Sequence, residues 1–155
     1  MKIDYEIIES PDQISGDFFL QLAQLDNQDF PNPWSLEGWK SFASMHSFLL
    51  VLLKIDLNLA GFILFEVQDA DSFAHLLKIV VKNEFRGQKL GNELLNKSML
   101  ILEKKKIQKK FLEVEDTNLS AINLYEKFGF KSIHLNKNFY GPLRHASIMI
   151  KEDNY

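Results

Sequence analysis

Leu76-Leu77-Lys78-Ile79-Val80-Val81, followed after a short polar joint by Arg86-Gly87-Gln88-Lys89-Leu90-Gly91, is the stretch that decides the fold. The apolar run predicts a strand over Phe73 to Val81. The residues after it, Lys89 to Lys104, place Leu90, Leu94, Leu95, Ser98, Ile101 and Leu102 on one side of a helix. A strand therefore passes through a glycine turn straight into a helix. The first turn of a helix carries unpaired N–H groups and the positive end of the dipole, so it draws anions. Gly87 permits a left-handed turn, and Gly91 leaves bare backbone against which a ligand can lie. A glycine at that point costs about 1 kcal/mol relative to alanine, and Arg86 supplies a phosphate-binding cation. The spacing lacks the terminal Gly-Lys-Ser/Thr of a P-loop and the three glycines of a dinucleotide fold. The six residues alone fit an ordinary strand-to-helix turn equally well; their placement favours a diphosphate site.

Outward from this unit, Ile3 to Ile8 alternates as a strand, and Ile14, Phe18, Leu22 and Leu25 recur at helical spacing. Phe30-Pro31-Asn32-Pro33-Trp34-Ser35 is a loop, with Ser35 the N-cap of a helix holding Trp39, Phe42 and Ala43. Phe48 to Lys54, Ala60 to Val67 and Phe73 to Val81 are three strands joined by turns at Asp56 to Asn58 and Asp69 to Ser72. Beyond the long helix, Phe111 to Glu115 is a short strand. Asn118 caps a helix with an inner stripe of Ala121, Leu124, Tyr125 and Phe128, ended by Gly129. Two last strands, Phe130 to Leu135 and His145 to Lys151, flank a predicted loop at Asn136 to Arg144. The order β-α-α-β-β-β-α-β-α-β-β predicts an α/β protein of the α+β type. Its seven-stranded, mixed and mostly antiparallel sheet is flanked by about four helices.

Length and composition limit the function classes. The 155 residues predict one domain over 1–155, and 46% hydrophobic with 25% charged residues is ordinary for a globular chain. Eighteen basic against 21 acidic side chains give a net charge of −3, no electrostatic reason to expect nucleic acid or an anionic membrane as partner. The absence of cysteine removes disulfides, thiolate metal sites and a cysteine nucleophile. His46, His75, His134 and His145 have no metal-ligand spacing, so no metal is expected. The acidic N-terminus is unlike a signal peptide, and the longest apolar run, Phe48 to Leu53, is far short of a membrane span. A soluble, cytoplasmic protein is expected. Lys104-Lys105-Lys106-Ile107-Gln108-Lys109-Lys110 reads as a solvated helix end suited to the dipole.

Downstream lie Leu112-Glu113-Val114, then Asn118, Ala121 and Leu124-Tyr125-Glu126-Lys127-Phe128-Gly129-Phe130. Taken singly, Glu113 reads as a solvated strand carboxylate on the face shared by Phe111 and Glu115, and Tyr125 as a core residue beside Leu124 and Phe128. Their joint order and spacing resemble the second half of the GNAT family of N-acetyltransferases, and within it the RimI-type ribosomal-protein-alanine N-acetyltransferases. Arg86 to Gly91 is similar to the family's R/Q-x-x-G-x-G/A loop. Phe30-Pro31 with Trp34-Ser35 resembles the RimI Phe-Pro-Trp-Ser loop, and Asn138-Phe139-Tyr140 its late Asn-Tyr-Tyr. Three features depart from the pattern. Lys89 replaces the middle glycine, which suits a negative φ and an ammonium reaching phosphate. Asn32-Pro33 interrupts the Phe-Pro-Trp-Ser run, and the last loop is shorter.

The resemblance implies a GNAT fold, acetyl-CoA as the acetyl donor with no metal, and a protein N-terminus, such as that of a ribosomal protein, as acceptor. It further implies that Ile79, Val80 and Val81 pair with the pantetheine arm. Arg86, Gly87, Gln88, Lys89, Leu90, Gly91 and Asn92 would hold the pyrophosphate, and Asn118 would contact the coenzyme. Glu113 would be the general base and Tyr125 the general acid, with Phe30, Trp34 and Tyr140 against the acceptor. Glu115 is the rival base and Asp116 a weaker one. The chemistry is consistent: an α-amine of pKa near 7.8 is about 14% neutral at pH 7, whereas a lysine near 10.4 is only about 0.04% neutral. With no cysteine to carry the acetyl group, direct attack in a ternary complex is the economical route. Two alternatives stand beside it. One is a GNAT enzyme acting on a small amine or a protein lysine; the other is a non-catalytic acyl-CoA-binding module.

Overall fold

A computed structural model describes residues 1–29 and 32–155. Its strands are β1 (Ile3–Ile8), β2 (Phe48–Ile55), β3 (Asn58–Gln68), β4 (Phe73–Val81), β5 (Lys109–Glu115), β6 (Lys131–Gly141) and β7 (Arg144–Glu152). The helices are α1 (Gly16–Asp29), α2 (Leu36–Met45), α3 (Leu90–Lys104) and α4 (Leu119–Lys127). The strands form one seven-stranded sheet in the order β1-β2-β3-β4-β5-β7-β6. Every neighbouring pair is antiparallel except β4 and β5, which are parallel and joined through α3. The expected class, strand number and element order hold.

The central strands are apolar on both faces because helices cover both faces. Leu49, Val51 and Leu53 of β2 pack with Leu94 and Leu95 of α3 and Tyr125 of α4. Leu50 and Leu52, with Phe62 and Leu64 of β3, pack against Leu22 and Leu25 of α1 and Trp39 of α2. Ser35 caps α2 as expected, its hydroxyl accepting from the Gly38 N–H at 3.0 Å. Ile14 falls outside α1, because Ser10 to Gln13 closes a separate 3-10 turn with its own capping box. No helix among the described residues is long and apolar enough to cross a membrane.

The expected loop at Asn136 to Arg144 is mostly strand. β6 continues to Gly141 and turns through Pro142 and Leu143 into β7. Asn138 makes this possible. It takes a φ of +58°, its N–H donates to His145 Nδ1 at 2.9 Å, and its Oδ1 accepts from the Leu143 N–H at 2.8 Å. β6 is an edge strand and largely exposed, and past Leu135 its Asn136-Lys137-Asn138 stretch carries no apolar residue to extend the predicted strand.

Candidate active site

β4 and β5 pair only from Phe73 with Lys109 to Leu76 with Leu112. The reason lies in β4. Leu64 of β3 faces Lys78 while the next residue, Phe65, faces Leu76, so Leu77 is a surplus residue in the ladder. Such a bulge bends its strand and raises the local twist. Past it, Ile79 to Val81 stay paired with Ile63, Phe62 and Gly61 of β3. Glu113 to Glu115 pair with Ile148, Ser147 and Ala146 of β7. The two strands fork, and a cleft of about 960 Å³ opens between them. The backbone edge of β4 along this cleft has the form that accepts an extended ligand as an added strand. Arg86 closes its far end, Nε donating to the Val81 carbonyl at 2.9 Å.

The glycine turn lies at the mouth of the cleft. Gly87 has a φ of +80°, as its residue type suggested. Lys89 is a correction: its φ is +61°, in the left-handed region, and it is the N-cap of α3 without a side-chain capping bond. The family's glycine conformation is thus kept by a lysine, at a backbone cost of about 1–2 kcal/mol. The first N–H groups of α3 receive no side-chain cap, which leaves them for an anion. A Cβ added at Gly91 would find nothing nearer than Ile79 Cδ1 and Val81 Cγ2, both at 4.0 Å. The glycine therefore keeps space open above the strand.

Most of the predicted site residues meet here. Ile79, Val80, Val81, Arg86, Gly87, Lys89, Leu90, Gly91 and Asn92 line one wall of the cleft. Glu113, Asn118, Tyr125 and Tyr140 line the other. Gln88 lies outside the lining, and Phe30 falls outside the described residues. Trp34 also stands away from the cleft. Its indole packs on Trp39 and Phe42, at 5.1 and 5.0 Å between ring centroids, because the Lys78 ammonium holds its ring at 4.5 Å.

Three acidic or phenolic groups differ sharply in state. Glu115 is gripped by Arg144 through two bonds, Nε to Oε2 at 3.0 Å and Nη2 to Oε1 at 2.8 Å. That guanidinium holds its carboxyl below the usual range and makes it a poor base. Tyr125 is 6% exposed, and burial pushes its phenol well above the ordinary value, so it stays protonated. Tyr140 is pushed up to about 12 by burial and by the nearby Glu113 and Glu115. Asn118 caps α4, its Oδ1 accepting from the Ala121 N–H at 3.2 Å.

Glu113 has a partner that the sequence did not reveal. His75 Nε2 donates to Glu113 Oε2 at 2.6 Å, and the imidazole stacks on Phe111 at 3.9 Å between centroids. Only the parallel register, which sets His75 beside Phe111, places these side chains together. Histidine spacing carries no trace of it. No cluster of three or more His, Asp or Glu arranged for a metal occurs among the described residues.

Comparison with known proteins agrees with this geometry. The model of the acetyltransferase (GNAT) family matches residues 19–130. The ribosomal protein bS18-alanine N-acetyltransferase of Haemophilus influenzae is 31% identical over 128 residues, 83% of this chain and 85% of that protein. The crystal structure of the ribosomal-protein-S18-alanine N-acetyltransferase from Escherichia coli superposes with a TM-score of 0.83 at 24% identity, covering 98% of this chain and 96% of that one. Arabidopsis thaliana NAA60 in complex with acetyl-CoA superposes with a TM-score of 0.81 at 17% identity, covering 99% and 100%.

Proposed function

Because this chain belongs to the GNAT acetyltransferase family, we propose that it acetylates the N-terminal α-amine of a protein, first of all an alanine-starting ribosomal protein, by direct attack on acetyl-CoA. It is an N-acetyltransferase. The observation that carries the reading is the fork between β4 and β5, with Glu113 and Tyr125 both on its walls.

Acetyl-CoA supplies an activated thioester carbon. The α3 N-terminus, Lys89 and Arg86 attract its diphosphate, and the β4 edge at Ile79 to Val81 pairs with its amide-bearing arm. Glu113 takes a proton from the acceptor α-ammonium, directly or through one water. The freed nitrogen lone pair forms the new C–N bond. As the C–S bond breaks, Tyr125 gives its hydroxyl proton to the departing sulfur. Glu113 discharges the first proton to solvent and then takes and discharges the second, and one of these returns to Tyr125, so that each transfer releases one proton and restores both residues. Glu115 is unsuited to the base role, since Arg144 already occupies both of its oxygens.

The test is the wild-type to Glu113→Gln ratio of kcat/KM from pH 6 to 10, on an alanine-starting peptide and on a lysine peptide. The ratio on the α-amine should be large at pH 6 and shrink as the pH passes about 7.8, where the neutral amine needs no base. A lysine acceptor would keep the deficit beyond pH 9, its pKa being about 10.4. A ratio near one throughout removes Glu113 from the mechanism.

A further inference from the structure

We propose that His75 is a positioning residue for Glu113, tying down one carboxylate oxygen so that the other is presented to the acceptor amine; this rests on the reading of Glu113 as the base. The hydrogen bond is short, 2.6 Å from Nε2 to Oε2. An ionised carboxylate can only accept, so Nε2 carries the proton. Among the described residues Oε1 of Glu113 has no hydrogen-bond partner, and it is the oxygen left for chemistry. The contrast with Glu115, two residues along the same strand face, is direct: there both oxygens are consumed by Arg144.

The imidazole is itself fixed. His75 lies in parallel register with Phe111, and their rings stack at 3.9 Å with planes 14° apart. Phe73 packs on the same phenyl, at 4.5 Å between centroids. His75 and Leu76 occupy the last paired rungs before β4 and β5 part, and Glu113 is the first residue of β5 beyond them. The histidine thus reaches forward across the fork. It holds a long side chain that would otherwise sample many rotamers, at a point where the neighbouring strand has turned away. Freezing a glutamate costs up to about 1.5–2 kcal/mol of rotamer entropy, met here during folding rather than at each turnover.

Four proteins test this: His75→Phe, which keeps the stack and removes the N–H; His75→Gln, which restores an N–H donor; Glu113→Gln; and the double variant His75→Phe/Glu113→Gln. Each is measured for kcat and KM on an alanine-starting peptide, for acetyl-CoA affinity by calorimetry, and for Tm. His75→Phe should lower kcat by about 10–100-fold with little change in acetyl-CoA affinity, the scale of a misplaced reacting group. His75→Gln should recover part of the loss. In the Glu113→Gln background His75→Phe should cost nothing further, because the group it positions is gone. Three results overturn the inference: wild-type kcat in His75→Phe, no recovery in His75→Gln, or an undiminished loss in the double variant. Should His75→Phe fold poorly, a fifth protein, His75→Gln/Glu113→Gln, closes the cycle, and a kcat loss in His75→Gln that is undiminished in the Glu113→Gln background overturns the coupling. Wild-type turnover in Glu113→Gln would instead overturn the base assignment itself, and the inference with it. A deficit in Glu113→Gln without one in His75→Phe overturns the inference alone.

Discussion

Replacing Lys78 with methionine keeps the aliphatic stem of a buried side chain and removes its charge. Lys78 and Asp26 have side chains only 2% and 0% exposed, with Nζ 2.9 Å from Asp26 Oδ2. The carboxylate also accepts from the Trp34 N–H at 2.9 Å and from Trp39 Nε1 at 3.1 Å. The ammonium donates onward to the Asn32 carbonyl at 3.1 Å. Burial pulls the Lys78 pKa down against the opposing pull of its hydrogen bond and charge pairing with Asp26. In Lys78→Met the carboxylate retains two N–H donors and loses its counter-charge. Breaking a buried pair in this way costs about 3–5 kcal/mol. That is a large part of the total stability of about 5–15 kcal/mol. For a chain of this length it lowers Tm by about 6–20 °C. Urea unfolding followed by tryptophan emission is the direct assay, because both tryptophans of the chain bond to Asp26. The pair Lys78→Met/Asp26→Asn, neutral on both sides and still able to accept from the two N–H groups, should recover most of the loss. A cost below about 1 kcal/mol for Lys78→Met, or a double variant no better than the single one, refutes the reasoning.

Lys89→Gly should act in opposite directions on fold and ligand. Relief of the left-handed backbone, offset by the freer unfolded glycine, gives about 0.5–1 kcal/mol and a Tm higher by about 1–4 °C. Calorimetry should show weaker acetyl-CoA binding through the lost ammonium, and unchanged affinity would make Lys89 purely structural. Tyr125→Phe keeps the buried ring, so Tm should hold while kcat falls by about 10²–10⁴, the range of acid catalysis; wild-type kcat would return Tyr125 to the core. Burial and the Glu93 carboxylate, which accepts from the Tyr5 hydroxyl at 3.2 Å, raise Tyr5 as well, so alkaline titration of the native protein, resolved against Tyr5→Phe and Tyr140→Phe, should place Tyr5 and Tyr140 near 12. Their folded values exceed the model-peptide value of about 10, so their stabilising contribution is complete below pH 10 and lost as the pH climbs toward 12. Native ionisation of both near 10 would contradict it.

The sequence is most legible where periodicity is strong and both ends are punctuated. β4 spans Phe73–Val81 as predicted, and Asn118 caps α4 by the predicted side chain. The wall formed by β4, the glycine turn and α3 was also readable, because the three are contiguous in the chain; Glu113 and Tyr125 on the other wall stood out only through the family resemblance. Lys78 was not. A lysine within Leu-Leu-Lys-Ile-Val-Val gives no sign that its ammonium is buried on an aspartate 52 residues earlier. The bulge hides it further, since Leu77 packs with the α1 and α2 cluster and Lys78 reaches α1 as well, two successive residues on one face. His75 was missed for a related reason: its partner lies on another strand, and register is a tertiary property. Trp34 illustrates the converse, an aromatic in a motif-like loop whose place is set by the buried pair beneath it.

The surplus residue at Leu77 has a consequence for how this enzyme tolerates change. A cleft carved by bulky or charged side chains can be filled or emptied by single substitutions. Here the opening follows from counting: between matched rungs β4 uses one more residue than β3, and the extra length turns the strand away from β5. Any side chain at position 77 that packs against α1 and α2 leaves the count, and so the opening, as it is. Removing that one residue would restore even alternation and let β4 zip onward along β5, while Lys78 kept the face on which Asp26 waits. The gap between these strands is therefore robust to substitution and fragile to deletion, a vulnerability set by chain length rather than by chemistry.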